Sequence, residues 1–318
     1  MKFFTTTLIS VAIMLAYAIP GFIFVKIKSI EQSSISAFAK VLMYVCQPFL
    51  TIYAFNNILK SDIQYDNGIL FSNIGIVFGI SFGIMFLFIA IFYMLFKKKY
   101  ADVRFRVATV ACAFGNCTFM GIPILESLFP NNPEVSLYST VFFISMSLIG
   151  WTIASALISG DKKYIKIKNF VLNPAVIALV VALPLYFCKA KLPSQLDSMV
   201  TLLGKMTTPL CMLVIGMRLG SVKIKDMFTD PIQYLALFVK QLIFPLFAIL
   251  IVYFINMDVI IKLSIVIMAG CPCASVVLNF AEMLNSGQKN AVNMVVLSTI
   301  TSIATLPIIC LIANTIFL

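Results

Sequence analysis

The tightest constraint on this chain is a repeating run pattern. Apolar stretches of about twenty residues recur along the sequence, parted by short breaks in which lysines and arginines collect. A helix rising about 1.5 Å per residue needs about 20 residues to cross the ~30 Å hydrocarbon layer. Each stretch therefore reads as a membrane span, and ten are expected: 4–25, 33–57, 69–96, 103–128, 135–159, 170–188, 194–218, 231–255, 259–284 and 290–317. Backbone donors and acceptors find no water in lipid, so spans are helices or closed barrels. The ten-residue alternation of a barrel is missing, and the expected class is an all-α polytopic membrane protein. With 61% apolar and 11% charged residues and a mean hydropathy of +1.05, no room is left for a soluble domain.

The formal charge of +11 belongs to the breaks, as loop charges do under the positive-inside rule. Fifteen lysines and arginines fall on one side of the expected topology, from Lys26 and Lys28 to Lys289, against four on the other: Lys2, Lys60, Lys189 and Lys191. Both termini are thus expected outside. The charges form no soluble basic face, which argues against nucleic acid as a partner. Eight cysteines lie within or at the ends of apolar runs without CxxC spacing, and histidine is absent, so no metal site or cofactor is expected. Without HExxH or GxSxG, no enzyme chemistry is expected either. Ala16-Tyr17-Ala18 resembles a signal cleavage site, but the run continues through Pro20 to Val25, so an uncleaved first span is expected.

The chain divides into two five-span halves, 1–159 and 170–318, around a basic linker at 160–169. Pro48 and Pro209 stand inside spans two and seven, and Pro20 and Pro184 inside spans one and six. Arg106 and Glu126 of span four match Lys262 and Glu282 of span nine in spacing. An odd number of spans per half inverts the second, the layout of many secondary transporters. Spans four and nine also carry helix-breaking chemistry near mid-depth. Span four reads Gly115-Asn116-Cys117-Thr118-Phe119-Met120-Gly121-Ile122-Pro123; span nine reads Gly270-Cys271-Pro272-Cys273-Ala274-Ser275. Gly115 and Gly121 permit unusual backbone angles, and Pro123 and Pro272 remove donors. Asn116 and Thr118 can meet freed backbone groups or face a ligand. Two half-helix N-termini at mid-depth would attract a carboxylate. The remaining prolines read as ordinary kinks.

The Gly115-Asn116 pair followed by Met120-Gly121-Ile122-Pro123 resembles the fourth-helix motif of the auxin efflux carrier family, and Gly270 to Ser275 resembles its ninth-helix break. The resemblance implies two inverted five-helix repeats with helices four and nine broken and crossing. It implies a scaffold and homodimer surface from spans 1, 2, 6 and 7, and a moving transport domain from spans 3–5 and 8–10. Asn116 matches the substrate-contacting asparagine and Pro272 the crossover proline; Cys273 and Ser275 follow on the same break. Lys240-Gln241-Leu242-Ile243-Phe244-Pro245 looks like the eighth-span pattern of bacterial malate and malonate carriers. The chain departs from plant members at Gly115, where they carry proline, and at Cys273, where they carry glutamine.

Lys205 and Lys240 lie well inside spans and should face a cavity or a partner. Lys240 is expected to offset the charge of a bound anion, or to pair with backbone carbonyls. Glu126 and Glu282 stand near span ends on opposite sides. The expectation is a permease of the cytoplasmic membrane moving a small organic anion, a di- or monocarboxylate, by alternating access. Its expected binding residues are Gly115, Asn116, Thr118, Gly121, Pro123, Pro272, Cys273, Ser275 and Lys240. The rival reading is a channel or an organic-acid sensor.

Overall fold

Among the described residues four α-helices begin on an aspartate cap. Asp66 accepts from the Gly68 and Ile69 N–H groups, Asp102 from Arg104, Asp230 from Ile232 and Asp258 from Ile260. Each cap satisfies donors that the first helical turn leaves without partners. The helices they open are α3 (Gly68–Lys99), α4 (first half Val103–Ala111, second half Cys117–Leu128), α8 (Pro231–Phe254) and α9 (first half Val259–Gly270, second half Ser275–Met283). The rest of the chain supplies α1 (Phe3–Lys26), α2 (Ser34–Lys60), α5 (Glu134–Ser159), α6 (Pro174–Phe187), α7 (Ser194–Ser221) and α10 (Gln288–Phe317). The computed structural model describes residues 2–61, 66–165, 168, 174–222 and 227–318. The expected start of span six at 170–173 and the loop lysines Lys166, Lys223 and Lys225 lie outside the described residues.

Among the described residues seven helices are long and apolar enough to cross a membrane, and α6 and the halves Cys117–Leu128 and Val259–Gly270 are shorter apolar helices. The protein is a polytopic, all-helical membrane protein. Its apolar surface is turned outward, with Ile9, Phe86, Leu95, Leu202 and Phe254 exposed, as lipid-facing helices require.

Three prolines share one local solution. A π-helical turn at Leu42–Cys46 precedes Pro48, one at Cys117–Gly121 precedes Pro123, and one at Val239–Ile243 precedes Pro245. Each proline then sits at the start of the next α-helical segment. The wider turn redirects carbonyls that would otherwise meet the ring and its missing N–H, so the helix continues past proline. Pro123 is therefore not part of the break in α4. The non-helical stretch lies earlier, between Ala111 and Cys117, and Gly121 belongs to the π turn that follows it.

Backbone contact between α1 and α7 is close. A Cβ on Gly216 would overlap the Ala18 carbonyl, and one on Gly21 would overlap the Leu213 carbonyl. Small residues permit this approach, which gains dispersion contacts where lipid offers no hydrophobic drive between helices. α2 packs on α6 and on the start of α7, and α3 packs on α5. The first half of α9 packs between α5, α8 and α10, while the second half of α4 reaches α1. At one end of the bundle Lys60 pairs with Asp197, which also accepts from Asn56. At the other, Arg218 of α7 meets Glu282 of α9 at 2.9 Å.

Candidate functional site at the crossing of two broken helices

The two breaks meet. Gly115 and Cys273 form an isolated antiparallel bridge, with the Asn116 N–H donating to the Pro272 carbonyl at 2.8 Å and the Ala274 N–H to the Phe114 carbonyl at 3.0 Å. Unwound backbone that is buried must find partners, and here each break serves the other. Proline fits at 272 because the pairing uses only its carbonyl. Glycine fits at 115 because a Cβ there would lie 3.1 Å from both Lys240 Nζ and the Met268 carbonyl oxygen. The Cys273 N–H donates to Ser298 Oγ at 3.0 Å, fastening the crossing to α10.

Both second halves start at this point, so their first N–H groups converge on it with roughly half a positive charge per helix end. Both first halves end there, and their carbonyl ends carry the opposite charge. Lys240, fully buried, donates to the Ala269 carbonyl at the end of the first half of α9. Its Nζ also sits 4.6 Å from the Phe244 ring centroid. One ammonium thus stands against the carbonyl end of the first half of α9, beside Gly115.

Asn116 is 2% exposed, and its amide nitrogen meets no oxygen acceptor, its side-chain neighbour being the Cys211 thiol of α7, a weak acceptor. An unmet buried donor costs about 1–3 kcal/mol, and a ligand acceptor would recover it. Ser275 Oγ lies 3.4 Å from Cys211 Sγ of α7, which brings that helix against the break. Asn279 follows Ser275 by one helical turn, and its amide nitrogen is likewise buried without a partner. Gly121 is packed, with Ser139 Oγ 3.3 Å from its Cβ direction. Thr118 and Pro123 line a cavity of about 300 Å³ between α1, α2, α4 and α7. Of the expected residues, Gly115, Asn116, Pro272, Cys273, Ser275 and Lys240 are brought together at the crossing. Thr118 and Pro123 open on the cavity beside it.

A family model described as "Membrane transport protein" matches residues 5–310. The chain belongs to that family, the family of the auxin efflux carriers. It is a membrane transporter, and members of the family are transporters rather than enzymes. No curated protein matches the sequence. In this transporter the sequence carried a signal for Lys205, an in-span charge, which lines the 300 Å³ cavity. It carried a weaker one for Asn279, a polar residue four positions after Ser275. Cys211 gave none, since a cysteine in an apolar helix is most often packing. Among the described residues no group of three or more metal-ligating side chains is present.

Proposed function

We propose that the chain is a secondary carrier that moves a small organic anion through its carboxylate, with the α4–α9 crossing as the binding site. The observation that carries this reading is the buried Asn116 amide nitrogen, a donor that meets no oxygen acceptor and has only the weak Cys211 thiol beside it, next to two converging helix N-termini. A carboxylate supplies acceptors for both. Asn116, Thr118 and Ser275 bind it, while Gly115, Gly121, Pro123, Pro272 and Cys273 shape the backbone. Lys240 cancels the carbonyl ends of the first halves, so the net field at the site is positive.

The ten helices form two inverted five-helix repeats, 1–159 and 170–318. The paired aspartate caps of α3 with α8 and α4 with α9 support this reading. α1, α2, α6 and α7 act as scaffold and homodimer surface; α3–α5 and α8–α10 move with the crossing. Both termini lie outside the cytoplasmic membrane, with the Lys60 end outward and the Arg218 end inward, a reading that the loop charges support. In that orientation the cavity beside Thr118 faces outward while Arg218 and Glu282 close the inner end, one state of an alternating-access, elevator-type cycle.

The test is a thermal-shift panel of organic acids on purified protein, run beside Asn116→Ala. A ligand at a hundred times its Kd stabilises by about 2.7 kcal/mol. Stabilisation by one acid class, lost in Asn116→Ala, is expected, together with saturable counterflow in proteoliposomes. Linear conductance without counterflow would point to a channel.

A further inference from the structure

The 300 Å³ cavity beside Thr118 does not end blindly. A second cavity of about 540 Å³ shares Tyr53 and Glu126 with it and reaches Asn57, Lys60 and Asn132 at the end of the bundle. Together they lead from that end to the first turn of the second half of α4. The charges along the path are few. Lys60, at the mouth, is already paired with Asp197. Deeper in, Lys205 has its Nζ 5.5 Å from the Tyr53 ring centroid and no carboxylate within salt-bridge distance among the described residues. Across the same cavity Glu126 accepts from Ser136 Oγ at 2.7 Å and turns its carboxylate to the path. Ile13, Met14, Leu50 and Ile122 supply apolar wall.

We propose that this chamber is a capture site selective for monocarboxylates, with Lys205 holding the carboxylate before it passes to the crossing. This deepens the carrier reading and rests on it. One uncommitted cation facing one carboxylate accepts a single negative charge. An acid with a second carboxylate would bring it against Glu126 or an apolar wall, and either contact is unfavourable. An uncharged body on the acid instead finds Ile13, Met14 and Leu50. Tyr53 supports the site by offering its ring face to the ammonium, which keeps the cation in the cavity without neutralising it.

The test reads the chamber directly. Thr208 lines it one helical turn from Lys205, and Cys188 is the exposed native cysteine. A Cys188→Ser, Thr208→Cys protein in liposomes is labelled with a negatively charged and a positively charged thiosulfonate reagent. Lys205→Gln is expected to lower the anion-to-cation rate ratio about tenfold, and Lys205→Arg to keep it. Propionate is expected to slow labelling more than malonate, and Glu126→Gln to narrow that difference. A ratio unmoved by Lys205→Gln, no protection by propionate, or malonate protecting as well as propionate with Glu126 in place would overturn the proposal. Repeating the labelling in Asn116→Ala separates the two sites: failure of the crossing as a binding site leaves these rates unchanged.

Discussion

Arg218 and Glu282 join α7 to α9 at 2.9 Å, at the end of the bundle away from the Tyr53–Glu126 cavity. Arg218 is 8% exposed and its Nε has no partner, so Glu282 is its main source of charge compensation. Removing one partner of such a pair strands the other charge.

Glu282→Gln is therefore expected to destabilise the protein by roughly 3 kcal/mol, seen as a lower melting temperature in detergent. The double variant Arg218→Met, Glu282→Leu should regain most of that loss, because an apolar pair of similar volume needs no compensation. If Arg218 and Glu282 close the inner end in one state, the same double variant should also slow counterflow.

Lys240→Gln addresses the crossing. The amide carries no charge and sits one bond short of the Ala269 carbonyl. A loss of stability of about 1–3 kcal/mol is expected, as that buried carbonyl loses its donor. Affinity for a stabilising acid should fall at least about tenfold, which corresponds to ~1.4 kcal/mol of lost electrostatic support. An unchanged affinity in the thermal-shift titration would remove Lys240 from the binding account.

Gly216→Val tests the α1–α7 contact. The side chain would be driven into the Ala18 carbonyl, and the helices must separate to admit it. A cost above about 3 kcal/mol is expected, read as loss of monodisperse protein on size exclusion. Thr208→Val, on the same helix but facing the cavity, should leave the yield intact.

Asp102 gives a pH dependence outside the spans. The Arg104 side chain bonded to it, with the Arg104 N–H, holds its carboxyl below the usual aspartate range. A depressed folded-state value means the contribution is complete above the unfolded value and disappears as pH falls through the folded one. Asp102→Ala should cost about 1 kcal/mol near neutral pH, and the gap to the parent melting curve should close on acidification below the usual aspartate range. Asp102→Asn should retain most of the cap and flatten the pH dependence.

Span placement was legible because lipid imposes it: length and hydropathy alone put α1 to α5 and α7 to α10 within a few residues of where they lie. That α4 and α9 are broken was legible from the glycines and prolines clustered near mid-depth, Gly115 and Pro272 among them, while their crossing was what the family resemblance implied. The exact limits of the break were not legible. Pro123 reads as its end, yet a π turn carries the helix through it, and hydrogen-bond register leaves no mark in side-chain pattern. The pairing of Arg218 with Glu282 was also out of reach, because it depends on how α7 and α9 lie side by side. A cavity or a partner at Lys205 was expected from its charge inside a span, but not that α1, α2, α4 and α7 would wall the cavity.

The bridge between Gly115 and Cys273 is made of main-chain atoms that all residues share, apart from the N–H that proline lacks. Most exchanges have little purchase on it, because a new side chain leaves the N–H of 116 and the carbonyl of 272 where they were; position 115 is the exception, since a Cβ there would press on Lys240 Nζ and the Met268 carbonyl. Heredity can therefore rewrite most side chains around the bridge one at a time, while the joint itself is inherited intact. A lineage built on such a joint can vary its surroundings through single substitutions, without passing through a broken ancestor.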